Sequence, residues 1–197
     1  MKTPKHWNFC LAMLSRVDPT GLGREFYAAE IGCASGGNAA FMLHAFPRLF
    51  LYMVDPWQAE PEYVVALKAA RPDSPYLRKT TLDQATFDAW HDEAVAKTAF
   101  AADRRKILRM PSIVGATSIP DGSLSFCFID GDHREESVAT DLEAYWPKVR
   151  LGGIFAGHDY GTRGHDGVKR AVDAWAAKSG VQLELSADYP RCWLVGK

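Results

Sequence analysis

The sequence predicts an α/β fold: a mostly parallel sheet with helices on both faces. Three observations predict it. Strand-like and helix-like segments alternate from residue 26 to residue 178, the order that builds a parallel sheet through crossover helices. Short apolar runs repeatedly end on a polar residue, at Glu30, Asp55, Asp130 and the pair His158-Asp159. At 197 residues, 47% hydrophobic and 24% charged, the chain has the length and composition of one globular domain, 1–197.

The elements follow in order. A first helix spans about His6 to Arg16, closed by Asp18-Pro19 and Gly21. FYAAEIG is a buried strand ending near Gly32. After Gly36-Gly37, the apolar residues Ala40, Phe41, Leu43 and Phe46 mark a helix ended by Pro47. LFLYMVD, residues 49–55, is a second strand, stopped by Pro56. Between 58 and 80, Pro61, Pro72 and Pro75 leave room for one short helix around Tyr63 to Ala70. Phe87, Trp90, Ala94 and Val95 share one side of a helix over 82–102. KILRM (106–110) and LSFCFID (124–130) are the third and fourth strands, the latter preceded by the turn residues Pro120, Asp121 and Gly122. A helix from Glu135 to Val149 carries Val138, Leu142 and Tyr145 at helical spacing, and Gly152-Gly153 introduce a fifth strand, IFAGHDY. Val168, Ala171, Val172 and Trp175 form the inner face of a helix over Gly167 to Lys178. VQLELSAD and RCWLVGK close the chain as an antiparallel pair.

Composition narrows the function. With 23 basic and 24 acidic residues the net charge is −1, which argues against a general nucleic-acid or membrane-surface binder. Cysteines 10, 33, 127 and 192 form no CxxC pair, which argues against a zinc knuckle or disulfide framework and for a reducing compartment. Cys127 sits in an apolar run and is expected to be a small buried hydrophobe. The N-terminal apolar patch is short and broken by Asn8, so no signal peptide is expected. No run approaches the ~18 apolar residues of a membrane helix. The chain reads as cytoplasmic.

EIGCASGGNAAF lacks the GxGxxG order, but Gly32, Gly36 and Gly37 still let backbone approach a ligand at a helix start. Asp55 ends the next strand 23 positions after Gly32, where an acid can accept from ribose hydroxyls. Glu30 alone reads as a charge at a strand end, and Asp55 alone as a turn acid before Pro56. Together they favour a nucleoside-type site. FCFIDGDHREE has four readings: a metal site, a catalytic base, a DxD sugar-nucleotide motif, or a polar turn.

EIGCASGG resembles the E-x-G-x-x-x-G motif of class I S-adenosylmethionine-dependent methyltransferases, and LYMVDPW resembles their acidic second-strand end. FIDGDHREESVATDLEAYWPKVRLGGIFAGHDY and GVKRAVDAW are similar to a bacterial subgroup of small-molecule O-methyltransferases. The resemblance covers about 28–60 and 105–178, and the IDGDH and GHDY segments are its most specific part. It implies a Rossmann-like, mostly parallel seven-stranded sheet with an antiparallel C-terminal strand. It also implies that Glu30, Gly32 and Gly36 surround the methionine and ribose of S-adenosyl-L-methionine and that Asp55 holds the ribose diol. Trp57 flanks the adenine or packs a core or lid; Met110, Pro111 and Ser112 meet the adenine edge; Cys33 has no assigned role.

If the fourth and fifth strands are neighbours, Asp130, His158 and Asp159 converge at their ends and suit a divalent cation, with Asp130 contacting metal or cofactor. Related methyltransferases hold magnesium there with acids or an amide, whereas this chain has His158; magnesium, a softer ion and no metal all stay open. His133 is the first candidate for general base, with an unperturbed pKa near ~6.5. Asp132 and His158 are alternatives, and Asp132 also suits an N-cap. His6, His44, His91 and His165 read as surface or core residues, and Lys169 and Arg170 as solvated. The expected activity is O-methylation of a small hydroxylated acceptor, a sugar or natural-product moiety. The alternatives are a metal-dependent glycosyltransferase using Asp130-Gly131-Asp132, and a non-catalytic cofactor-binding module. The N-terminal helix (1–20) and residues 58–80, with Trp7, Trp57, Tyr63 and Tyr76, line the acceptor side or pack a lid. No nucleic-acid or membrane partner is expected, and a homodimer is left open.

Overall fold

A computed structural model describes residues 5–18, 25–70, 82–189 and 191–197. The expected turn at Pro19 and Gly21, and the readings of Pro72, Pro75 and Tyr76, fall outside these residues, as does the side chain of Tyr63. Seven strands form one sheet: β1 (Phe26–Ile31), β2 (Leu49–Asp55), β3 (Arg105–Arg109), β4 (Leu124–Ile129), β5 (Val149–Gly157), β6 (Glu184–Leu185) and β7 (Trp193–Gly196). Their order is β3-β2-β1-β4-β5-β7-β6. The pairs among β1 to β5 are parallel, and β7 is antiparallel to both β5 and β6. The order reverses between β1 and β4, so the crevice opens above their carboxyl ends.

Helices cover both faces: α1 (Lys5–Val17), α2 (Gly37–Ala45), α3 (Pro61–Ala70), α4 (Gln84–Lys97), α5 (Ser112–Ala116), α6 (Glu135–Tyr145) and α7 (Asp166–Ser179). Alternation along β4 splits its side chains between two cores. Phe126 and Phe128 join Phe9, Leu14, Met42 and Leu43 on one face, while Cys127 and Ile129 join Leu142, Tyr145, Val172 and Trp175 on the other. All six β4 residues are buried, as a central parallel strand requires. Cys10, Cys33, Cys127 and Cys192 are free and buried. No helix among the described residues is long and apolar enough to cross a membrane.

The boundaries differ from expectation where a helix changes character. The segment over 82–102 is helical to Lys97, then continues as a 3-10 turn over Ala99–Arg104. Asp83 caps its start, accepting from the Thr86 backbone N–H at 3.0 Å. The helix expected to reach Val149 ends at Tyr145, because Pro147 allows only a 3-10 turn over Trp146–Lys148. VQLELSAD contributes only the two exposed residues of β6. The five-residue α5 had no periodic signal to reveal it.

Strand register sets the site. Ile31, Ile129 and Gly157 lie in one row across β1, β4 and β5. The backbone extends this ladder by one rung: Asp130 N–H donates to Ile31 at 2.8 Å and His158 N–H to Ile129 at 3.1 Å. Gly32, Asp130 and His158 therefore stand side by side at the sheet's upper edge.

Candidate functional site

Gly32 has φ 89°, and a Cβ placed on it would come within 2.3 Å of the Asp130 carbonyl oxygen. Only glycine permits this crossing of β1 past the end of β4. Asp55 ties the rest of the loop down. Its Oδ2 accepts from the backbone N–H of Cys33 (2.9 Å) and Ala34 (3.0 Å), and its Oδ1 from that of Trp57 (2.8 Å). Burial raises the Asp55 pKa, and the three backbone donors oppose that rise. Trp57, at φ 43°, turns inward; its Nε1–H donates to Ala34 at 2.7 Å and its ring packs edge-on against His91.

Glu30 points into the core rather than the crevice. Asn38 Nδ2 donates to its Oε1 at 2.8 Å, while Oε2 has no hydrogen-bond partner. Burial pushes its carboxyl up to about 8. A carboxyl whose folded pKa is raised holds its proton more tightly when folded, so stability falls as pH climbs from about 4.5 through about 8. Glu30→Gln mimics the protonated acid. We expect melting temperatures equal to wild type at pH 5 and higher than wild type at pH 8.5; identical pH slopes for the two proteins would refute a buried neutral Glu30.

A cavity of about 370 Å³ opens over the strand ends. Among the predicted residues, Gly32, Asp55, Pro111, Ser112, Asp130 and Asp132 line it; Glu30, Gly36, Trp57 and Met110 do not. Trp90 supplies the aromatic wall in place of Trp57, and Asp141 of α6 joins the lining. Its size suits a ligand of nucleoside dimensions.

Beside it lies a cluster centred on Asp159, a buried residue in the left-handed region (φ 57°). Its Oδ2 is 2.7 Å from His133 Nε2 and 3.1 Å from His165 Nδ1. Its Oδ1 accepts from Thr162 Oγ1 at 2.8 Å and lies 3.5 Å from His158 Nδ1. Asp130 Oδ1 is 3.6 Å from the same His158 nitrogen. His6, from the first turn of α1, packs its ring 4.6 Å from that of His158 and brings Nε2 to 3.9 Å from Asp130. Burial alone would raise the Asp159 pKa, but hydrogen bonds from the three histidines hold it far below the usual carboxylate range. Burial lowers the His158 pKa, yet the Asp130 and Asp159 carboxylates outweigh it and carry the imidazole up to about 9.

His165, read as a surface or core residue, is buried, and the loop after β5 carries it into the cluster, as the packing of α1 carries His6. One expectation needs correction. Asp132 is not the N-cap of α6; Arg134 holds that position. Asp132 instead braces the helix start from two residues ahead, accepting from Arg134 N–H (3.0 Å), Arg134 Nε (2.6 Å) and Ser137 Oγ (2.7 Å). Lys169 and Arg170 are exposed, as expected.

A family model described as a methyltransferase domain matches residues 29–160. The chain belongs to this methyltransferase family. It is an S-adenosylmethionine-dependent methyltransferase. Its fold is similar to that of the O-methyltransferase NovP, at 19% identity and TM-score 0.72 over 98% of this chain and 79% of that one. It is also similar to CalS11, a calicheamicin methyltransferase, at 14% identity and TM-score 0.64 over 97% of this chain and 78% of that one. The S-adenosylhomocysteine-bound methyltransferase PaMTH1 of Podospora anserina aligns at 14% identity and TM-score 0.64 over 100% of this chain and 79% of that one. No curated protein matches the chain by sequence.

In this methyltransferase the cluster offers two three-donor sets for a cation, Asp130–His158–Asp159 and His133–Asp159–His165. Ligands of a tetrahedral ion with bonds of about 2.0–2.1 Å stand ~3.3 Å apart. The 3.5 and 3.6 Å spacings in the first set approach that edge, whereas the 2.7 Å contact in the second is hydrogen-bond length. Magnesium prefers an all-oxygen octahedron, which His158 breaks. The spacing of the first set is compatible with a borderline ion such as zinc, and a histidine nitrogen beside two carboxylates is a poorer match to magnesium.

Proposed function

We propose that this methyltransferase O-methylates a small hydroxylated acceptor, a sugar or natural-product moiety, with His133 as general base. The observation that carries this reading is the contact of His133 Nε2 with the buried anion Asp159 at 2.7 Å. S-adenosylmethionine supplies the methyl group as a sulfonium electrophile. Gly32, Asp55, Pro111 and Ser112 would bind and orient it along the cavity, and Asp130 would border its reactive end. Asp159 fixes the Nε2 side of the His133 ring, which leaves Nδ1 to take the acceptor's hydroxyl proton as the oxygen attacks. Most of the remaining acceleration comes from holding the two reactants in line. A borderline ion on Asp130, His158 and Asp159 would lower the hydroxyl pKa.

The reading takes 1–197 as one domain, with α1 and α3 on the acceptor side; residues 71–80 of the expected 58–80 segment lie outside the described residues. His6 against His158, and the contact of Glu62 in α3 with Arg134 at 3.4 Å, support that placement. A sugar acceptor gains support from the similar fold of CalS11, a TDP-rhamnose 3'-O-methyltransferase. The glycosyltransferase reading has no such support, since Arg134 and Ser137 occupy the Asp132 carboxylate that a DxD motif would need.

Calorimetry decides the cofactor. Micromolar binding of S-adenosylhomocysteine and none of UDP-sugars is expected; the reverse would sink the methyltransferase reading. For the metal, zinc should raise the melting temperature by mass action. Magnesium should not, and His158→Ala should abolish the shift. A magnesium shift equal to that of zinc would contradict the assignment.

A further inference from the structure

The connection from β3 to β4 runs over residues 110–123 and carries only the five-residue α5. Crossover helices normally cover both faces of a parallel sheet, and this one is too short to do so. α5 settles on β2 at Val54, where a Cβ on Gly115 would come within 2.5 Å of a Val54 methyl group. Before Val54 the same face of the sheet is open. Tyr52 packs against the core of Leu142, Tyr145 and Trp175, which marks the face, yet it and Phe50 are only partly buried. Tyr27 of β1 is 37% exposed, and Val114 of α5 is 49% exposed. Contiguous apolar surface of this kind on a globular chain marks an interaction site.

The arrangement says which partner fits. The ring centroids of Tyr27 and Phe50 are 5.5 Å apart, those of Phe50 and Tyr52 5.3 Å, and those of Tyr27 and Tyr52 6.5 Å. The three rings form a nearly isosceles triangle with Phe50 at its apex. A two-fold axis lying in the face and bisecting that apex exchanges the tyrosines, so that Tyr27 meets the partner's Tyr52 and Phe50 meets its own copy. The charges obey the same symmetry. Lys106, exposed on β3, is in register with Tyr52, while Phe50 is in register with Tyr27. Glu25 is exposed and precedes Tyr27 by two residues, which puts it one row below on the β1 side. Lys106 and Glu25 thus stand at opposite corners of the patch, and the same axis sets Lys106 against the partner's Glu25. We propose that this face pairs with a second copy of the chain in an isologous dimer, centred on Phe50 and flanked by two Lys106–Glu25 pairs. The dimer draws on none of the residues placed at the reactive end of the cavity.

Sedimentation velocity on the full chain from about 1 to 100 μM reads the pairing. The wild type should sediment as a dimer at the upper end of that range. Phe50→Asp sets two carboxylates against each other on the axis and should raise the dimer dissociation constant at least about 100-fold, leaving a monomer. Lys106→Glu and Glu25→Lys each turn an attraction into a repulsion and should each raise it roughly 10-fold. The double variant exchanges the charges and should return to within about threefold of wild type. A wild type that stays monomeric throughout leaves the face to a different partner and overturns the proposal. A dimer that survives Phe50→Asp uses another surface, which overturns it equally. If Phe50→Asp loses its cooperative melt, the charge exchange decides, because Lys106 and Glu25 are exposed. A double variant that pairs no more tightly than the single ones then overturns the proposal.

Discussion

Replacing His133 with alanine is expected to cut methyl transfer by roughly 10²- to 10⁴-fold while S-adenosylhomocysteine binds within about twofold of wild type. The split follows from where His133 stands. It does not line the cavity, so its loss leaves the cofactor contacts alone. Asp159 keeps His158, His165 and Thr162 as neighbours in the variant, so the site's frame survives. What disappears is the ring that the buried carboxylate holds beside Asp130. The loss should appear in kcat far more than in KM, because proton removal belongs to the transition state and not to binding. Added imidazole should restore part of the rate. Turnover unchanged on the true acceptor would eliminate His133 as base and leave His158 or Asp132.

Asp159→Ala is expected to be the most destabilising single change in the site, by about 3–5 kcal/mol, because it strands buried imidazoles without their shared anion. Alanine also fits poorly at φ 57°, whereas asparagine tolerates that backbone. Asp159→Asn should therefore cost less than alanine while still losing the charge. The pH profile separates charge from shape. The Asp159 pKa is depressed in the folded state, so its stabilisation is present above about pH 4 and lost as pH falls. The His158 pKa is raised, so its stabilisation is full below about pH 6.5 and lost as pH rises through about 9. Both slopes should flatten in either variant. Urea melts at pH 4, 6.5 and 9 measure this, and an alanine variant within about 1 kcal/mol of wild type would refute a central role for Asp159.

Much of the fold was legible because each strand is a short apolar run stopped by a polar or turn residue, and the ends of those runs are the rim of the crevice. The site was legible where a residue's place follows from its strand, as at Gly32, Asp55, Asp130 and Asp159. It was not legible where tertiary packing does the placing. His6 reaches the cluster only because Phe9, Cys10 and Leu14 seat α1 in the core. His165 arrives on the loop between β5 and α7, and its one sequence signal is the repeat of His-Asp at 158–159 and 165–166. Trp57 was left open between the adenine and a core or lid; the turn after Pro56 drives it inward, and Trp90 of α4 lines the cavity. Asp141 looks like any acid in a helix until Ser112 is brought against it.

The four buried cysteines have a practical consequence. Burial raises the pKa of Cys10, Cys33 and Cys127 well above the ordinary thiol value and pushes Cys192 up to about 12, so almost no thiolate is available to electrophiles. The native protein is therefore expected to react only slowly with maleimide reagents. A single cysteine introduced at Leu151, which is 82% exposed, would accept a fluorophore without background. Slow modification of the native four would then act as a clock for opening of the two cores, one counted by Cys10, Cys33 and Cys192 and the other by Cys127.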